Sequence, residues 1–267
     1  MFVARPFEGL PSECDVVQMR ELVPSATAPL PLVGEYADRT VQLCTLLPAA
    51  APAMVRESGE IWLGLQVLHN FGDPARDLGA VLLAALAQEE PGIVGLTDAP
   101  GEGPRLQDLV ATDPLDITVH QGFDFWVADV PEAPDLVGAL EEASDAVNPS
   151  ARLTTVTAAY WIDVGTKEHL RWTMPEPEGR LLDALARLHA AGEDVLVPDS
   201  RFVGMFRAHG LLTPVWDLPL GTGAEALEEP AESFAARLAE ALADDSDLTA
   251  EQRSARNGLA NRQVTIR

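Results

Sequence analysis

The sequence predicts an α+β fold, with mixed or antiparallel sheets packed against helices and the chain arranged as two similar halves. Short runs of alternating apolar and polar residues recur along it, as half-buried strands require, and between them lie leucines at helical spacing. The order strand, strand, helix occurs twice, on either side of a break at Asn148-Pro149-Ser150. Residues 1–40 carry Pro6, Pro11, Pro24, Pro29 and Pro31 and are expected to wrap the body as an extended arm. A first α+β half then covers 41–147, a second covers 148–220, and 221–267 forms an acidic helix with a basic tail.

In the first half, 40–46 and 60–67 read as strands. Asp73 and Pro74 then open a helix whose Leu78, Leu82 and Leu86 share one face. A short helix is expected near 105–111, followed by strands over 116–120 and 123–127 joined through Gln121-Gly122, and Pro134 opens a further helix to about residue 147. In the second half, 154–164 and 168–174 flank Gly165-Thr166 as a hairpin, and a helix after Pro177 carries Leu181, Leu185 and Leu188 and stops at Gly192. The apolar spacing of 105–110 matches that of 201–206, and each block runs on to a tryptophan, Trp126 or Trp216, which suggests an internal duplication. Residues 225–247 hold eight acids and one arginine on a helix, and Thr249 and Gln252 have the spacing of a capping box. The last seventeen residues are basic through Arg253, Arg256, Arg262 and Arg267, and are expected to fold back on the acidic helix or remain solvated.

The 267 residues are 47% hydrophobic, enough for a large core without metals or disulfides. Cys14 and Cys44 are too few for a secreted disulfide framework, the start of the chain has no signal-peptide pattern, and the longest uncharged run, 40–55, is broken by Pro48 and Pro52. A cytoplasmic protein with no membrane span is expected. The net charge of −24 disfavours nucleic acid, whose phosphates it repels.

No motif assigns a chemistry. The sole lysine, Lys167, stands in no phosphate-binding loop, and Gly101-Glu102-Gly103-Pro104 lacks the third glycine of a dinucleotide site. Cysteines and histidines are scattered singly, so neither a metal nor a cofactor is expected. Cys14, between Glu13 and Asp15, is badly placed for a nucleophile. Two clusters remain. One is the aromatic run from His120 to Trp126, which would present His120 and Asp124 together on a hairpin. The other runs from Arg201 through Arg207 and His209 to Trp216 and Asp217. Read as a helix, it sets Arg201, Gly204 and Ala208 on one face, with the arginines free to fork onto an anion and Trp216 as an apolar wall. The binding candidates are therefore Arg201, Arg207, His209, Trp216, Asp217, Asp124 and Trp126.

Residues 5–15, 23–28, 122–126 and 201–217 together resemble an actinobacterial family classed only as domain of unknown function 5926 (DUF5926), over nearly the whole chain. The resemblance implies an actinobacterial source, in keeping with the bias of arginine over lysine, and brings no established activity to any residue. The leading expectation is a non-catalytic protein-binding or regulatory module whose partner is another protein. The alternative is a small-molecule enzyme with a dispersed site drawing on His120, Asp124 or His209.

Overall fold

A computed structural model of the chain describes residues 2–68, 71–96, 98–127, 140, 143–145 and 147–266. It is an α+β protein of two compact units, Met1–Val147 and Asn148–Arg267, each built on a six-stranded mixed sheet.

The first unit corrects the expectation of an extended arm. Glu13–Glu21 is a helix (α1) that buries Val16, Val17 and Met19, and Ala26–Pro29 is a strand (β1) paired on both sides. The prolines flank these elements, except Pro29, which ends β1. Val41–Cys44 (β2), Ala53–Val55 (β3) and Ile61–Gly64 (β4) follow, then the helix Pro74–Ala87 (α2), the strand Gly92–Val94 (β5) and the two-residue strand Thr118–Val119 (β6). The strand order is β5-β3-β4-β2-β1-β6, with β2 and β4 parallel and the other pairs antiparallel. Helix α2 starts at Pro74 with Asp73 as its N-cap residue, as expected, but the Asp73 side chain makes no capping hydrogen bond. Its carboxylate is held by Arg105 at 2.8 Å and Arg76 at 3.5 Å. Two further expectations fail locally. Residues 105–111 supply only a 3-10 turn, Leu106–Asp108, and the expected strand 123–127 is a 3-10 turn, Asp124–Val127. Phe123, just before that turn, and Trp126 within it, three residues apart, both face inward and stack at 4.5 Å. The helix expected from Pro134 lies almost wholly outside the described residues.

The second unit comprises Ser150–Arg152 (β7), Ala159–Asp163 (β8), Glu168–Trp172 (β9), the helix Glu178–Ala191 (α3), Arg201–Ala208 (β10), Leu211–Leu218 (β11), the helices Glu228–Ala243 (α4) and Ala250–Ala260 (α5), and Gln263–Thr265 (β12). The hairpin through Gly165 and the left-handed stop of α3 at Gly192 form as the sequence predicts, and so does the capping box, in which Thr249 and Gln252 bond reciprocally. Strand order is β12-β10-β11-β9-β8-β7. The two sheets are equal in size but differ at the centre: β2 and β4 run parallel, whereas β9 and β11 run antiparallel. The matched blocks 105–110 and 201–206 fall on a 3-10 turn and a strand respectively.

The core of this unit gathers Trp172, Phe202, Trp216 and Phe234 with the leucines of α3. The basic tail folds back within the chain. Arg256 pairs with Asp183 of α3, and β12 adds to β10 in parallel, with Ile266 N–H donating to Arg207 O at 2.9 Å. Gly204 permits that approach. Its φ is 155°, and a Cβ there would lie 2.6 Å from Arg262 O. Gly204→Ala should therefore destabilise the chain by about 1–3 kcal/mol and speed amide exchange over 263–266, measured by urea titration and hydrogen exchange. Unchanged exchange in that segment would refute the role given to this glycine.

Candidate functional site

The residues singled out in the second unit do not form one pocket. Residues 201–208 are a strand, not a helix, and Arg201, Gly204 and Ala208 therefore share no helical face. A bulge between Phe202 and Gly204 turns both Phe202 and Met205 into the core. Trp216 is fully buried, edge-on to Phe202 at 5.3 Å and Phe234 at 5.2 Å, and donates its indole N–H to Asp194 O at 2.8 Å. It is a core residue and not a ligand wall. Arg207 is committed to Glu178 and to Gln263 Oε1 at 2.8 Å, tying β10 to α3 and β12. His209 (φ 50°) and Gly210 (φ 81°) make the β10–β11 turn, where two positive φ angles match the twist of a tight hairpin.

Arg201 and Asp217 do meet, as cross-strand partners. The Asp217 carboxylate accepts from Lys167 Nζ at 2.7 Å and Arg201 Nη2 at 3.4 Å, and faces His169 Nδ1 at 3.1 Å. Burial would raise the Asp217 pKa, but Lys167, His169 and Arg201 outweigh it and hold the carboxyl below its usual range. Burial lowers His169 further than Asp217 raises it. Lys167 is 54% exposed and Arg201 73%, so these are solvated ion pairs of about 0–1 kcal/mol each.

In the first unit Trp126 is also core, donating to Leu46 O at 3.1 Å. His120 Nε2 bonds Thr27 Oγ1 at 2.8 Å, its ring rests on Phe125 at 4.7 Å, and burial lowers its pKa. Asp124 is exposed and no bond joins it to His120. His209, the third residue of the enzyme alternative, belongs to the other unit. Among the described residues no three His, Cys, Asp or Glu side chains gather where they could hold a metal ion.

The sequence reading missed the feature with the clearest shape, at β5. A predominantly apolar cleft of about 260 Å³ opens beside this strand, walled by Pro74, Leu78 and Val81 of α2, by Val67 and Leu68, by residues 49–52 and by Ile93. Ala49 and Ala50 hold φ at 56° and 50°, a left-handed conformation that costs non-glycine residues about 1–3 kcal/mol. At the rim Leu68 is 78% exposed and Ile93 56%. Arg20 and Asp77 also line the cleft. Burial lowers the Arg20 pKa and raises that of Asp77. A second groove, of about 500 Å³, lies along Met54, Glu57, Pro91 and Ile93, so that Ile93 borders both.

Among the described residues the backbone of β5 is unpaired on one side. Arg56 N–H donates to Glu60 O at 2.8 Å, which points residue 56 toward β4; by antiparallel alternation Met54 also points to β4, while Ala53 and Val55 point to β5. Their partners are Val94 and Gly92, so the N–H and C=O of Ile93 face the free edge. The one signal in the sequence was Pro91-Gly92 ahead of the β-branched pair Ile93-Val94.

A family model described as a family of unknown function (DUF5926) matches residues 6–267. No curated protein and no solved structure matches the chain.

Several carboxylates in the second unit hold the fold together. Glu168 is buried and accepts from Trp161 Nε1 at 2.7 Å, from Gly223 N–H at 2.8 Å and from Gly221 N–H. Burial alone would raise its pKa, but these donors outweigh it and hold the carboxyl below its ordinary value. Its contribution is thus fully present above the unfolded value of about 4.3 and is lost as pH falls through the lower folded value. Glu168→Gln should cost about 1–3 kcal/mol at pH 7, a deficit that shrinks in acid denaturation series below about pH 4. A deficit independent of pH would contradict this role. Trp216→Ala should cost about 3–5 kcal/mol and Arg201→Ala less than about 1 kcal/mol by urea titration.

Proposed function

The chain belongs to this family, and we propose that it is a non-catalytic protein-binding module that takes an extended segment of its partner onto the open edge of β5. The observation that carries this reading is the outward-facing N–H and C=O of Ile93, set between two grooves. A strand added to a sheet edge gains main-chain hydrogen bonds, and its alternate side chains point to opposite faces. The 260 Å³ cleft is smaller than the roughly 300–1,000 Å³ of pockets that enclose a whole drug-sized ligand. It suits one or two apolar side chains, and the exposed Leu68 and Ile93 extend the apolar contact.

An actinobacterial and cytoplasmic setting fits the arginine bias and the small number of cysteines, Cys14 and Cys44, both buried. Among the described residues no helix is long and apolar enough to cross a membrane.

The edge reading is tested by selection from a random dodecapeptide library on the chain and on two variants. Ile93→Ala removes the side chain and keeps the donor. Ile93→Pro also removes the outward N–H, and leaves the β3 pairing of Gly92 and Val94 intact. The chain should enrich peptides with alternating apolar residues, whose affinity falls about 3-fold in Ile93→Ala and at least about 10-fold in Ile93→Pro. Equal affinity for the two variants would refute addition at this edge.

A further inference from the structure

We infer that the segment received by β5 is basic: an extended stretch of another protein in which apolar residues are flanked by lysine or arginine. This rests on the reading of β5 as the binding edge and adds the chemistry of the partner.

Glu89 and Glu90 stand immediately before Pro91-Gly92, and Glu57 lies across the groove that Ile93 borders. All three are exposed, and none is in an ion pair among the described residues. The first unit has few cations to set against them. Residues 1–147 contain 24 acidic and 6 basic residues, a net charge of −18. All six arginines are engaged: Arg5 with Glu13, Arg20 with Glu21 and Leu65 O, Arg39 with Leu86 O, Arg56 with Trp126 O, and both Arg76 and Arg105 with Asp73. Arg56, the cation on the wall of the groove, is buried beneath that bond with its guanidinium over Trp62.

Two requirements therefore meet within one strand length. The open backbone and the apolar cleft select an extended segment with an apolar residue, and the carboxylates beside them attract positive charge at its flanks. The same field repels acidic peptides, phosphate backbones and anionic lipid. Exposed charges within a Debye length of about 8 Å act together at physiological salt, and their contribution fades as salt rises.

Three synthetic peptides separate the charge from the edge. They share one alternating apolar core and carry lysine, serine or glutamate flanks. Anisotropy titrations would use the full chain, the double variant Glu89→Gln with Glu90→Gln, and Ile93→Pro. The lysine peptide should bind about tenfold tighter than the serine peptide at low salt, and the glutamate peptide should not bind. The double variant should lose most of the lysine advantage, leaving serine-peptide affinity unchanged, and about 0.5 M salt should have the same effect. If the three peptides bind equally and remain sensitive to Ile93→Pro, the basic partner is overturned and the edge reading stands. If the lysine peptide binds Ile93→Pro as well as it binds the full chain, or if no peptide binds, the edge reading falls with it.

Discussion

Every strand at the edge of a sheet leaves one side of its backbone without partners, and in the first unit this constraint falls on the two-residue β6 at one end and on β5 at the other. The bond from Arg56 N–H to Glu60 O sets the register from which the rest follows: β3 spends alternate residues on β4, so only Ala53 and Val55 reach β5, and Ile93 is turned outward. An exposed strand edge with apolar side chains beside it is a hazard for self-association, which proteins usually blunt with charge or cover. Here Glu89, Glu90 and Glu57 supply like charge. Two copies of this edge repel each other, while a segment of opposite charge does not.

In the second unit the edge of β10 is covered by the tail, and β12 becomes the edge strand. Strand β12 lies along β10, and Gly204 lets the backbone at Arg262 come within reach. The residues that looked most like a binding surface hold this unit together. Arg207 fastens β12 and α3, Trp216 fills the core, and Asp217 ties Arg201 to Lys167 across neighbouring strands. Their chemistry is used within the unit, which is why the functional reading moves to the other one.

Much of the fold was legible because local rules and packing agree there. Helix α3 has its leucine stripe and a glycine in the left-handed stop, and the β8–β9 hairpin has Gly165 where its turn requires it. The errors have physical causes. The bulge after Phe202 breaks the two-residue alternation of β10, so Phe202 and Met205 face inward three apart and imitate a helix. Phe123 and Trp126 have the same spacing where the chain enters a 3-10 turn, although the alternation around them resembles a strand. Helix α1 was hidden between prolines that end before it begins and resume after it ends. The candidate site was not legible. Strand β5 has three residues, its partner β3 is earlier in the chain, and openness is a property of the strand order, which no local pattern encodes.

The central claim is that the backbone of β5 is open at Ile93 and is what a partner pairs with. Residue-resolved amide exchange by NMR, on the chain alone and with the lysine-flanked peptide, tests it most directly. The account predicts that the Ile93 amide exchanges rapidly in the free chain while those of Gly92 and Val94 are protected, and that the peptide protects Ile93. An Ile93 amide already protected in the free chain, or one left unprotected when the peptide is bound, would contradict it.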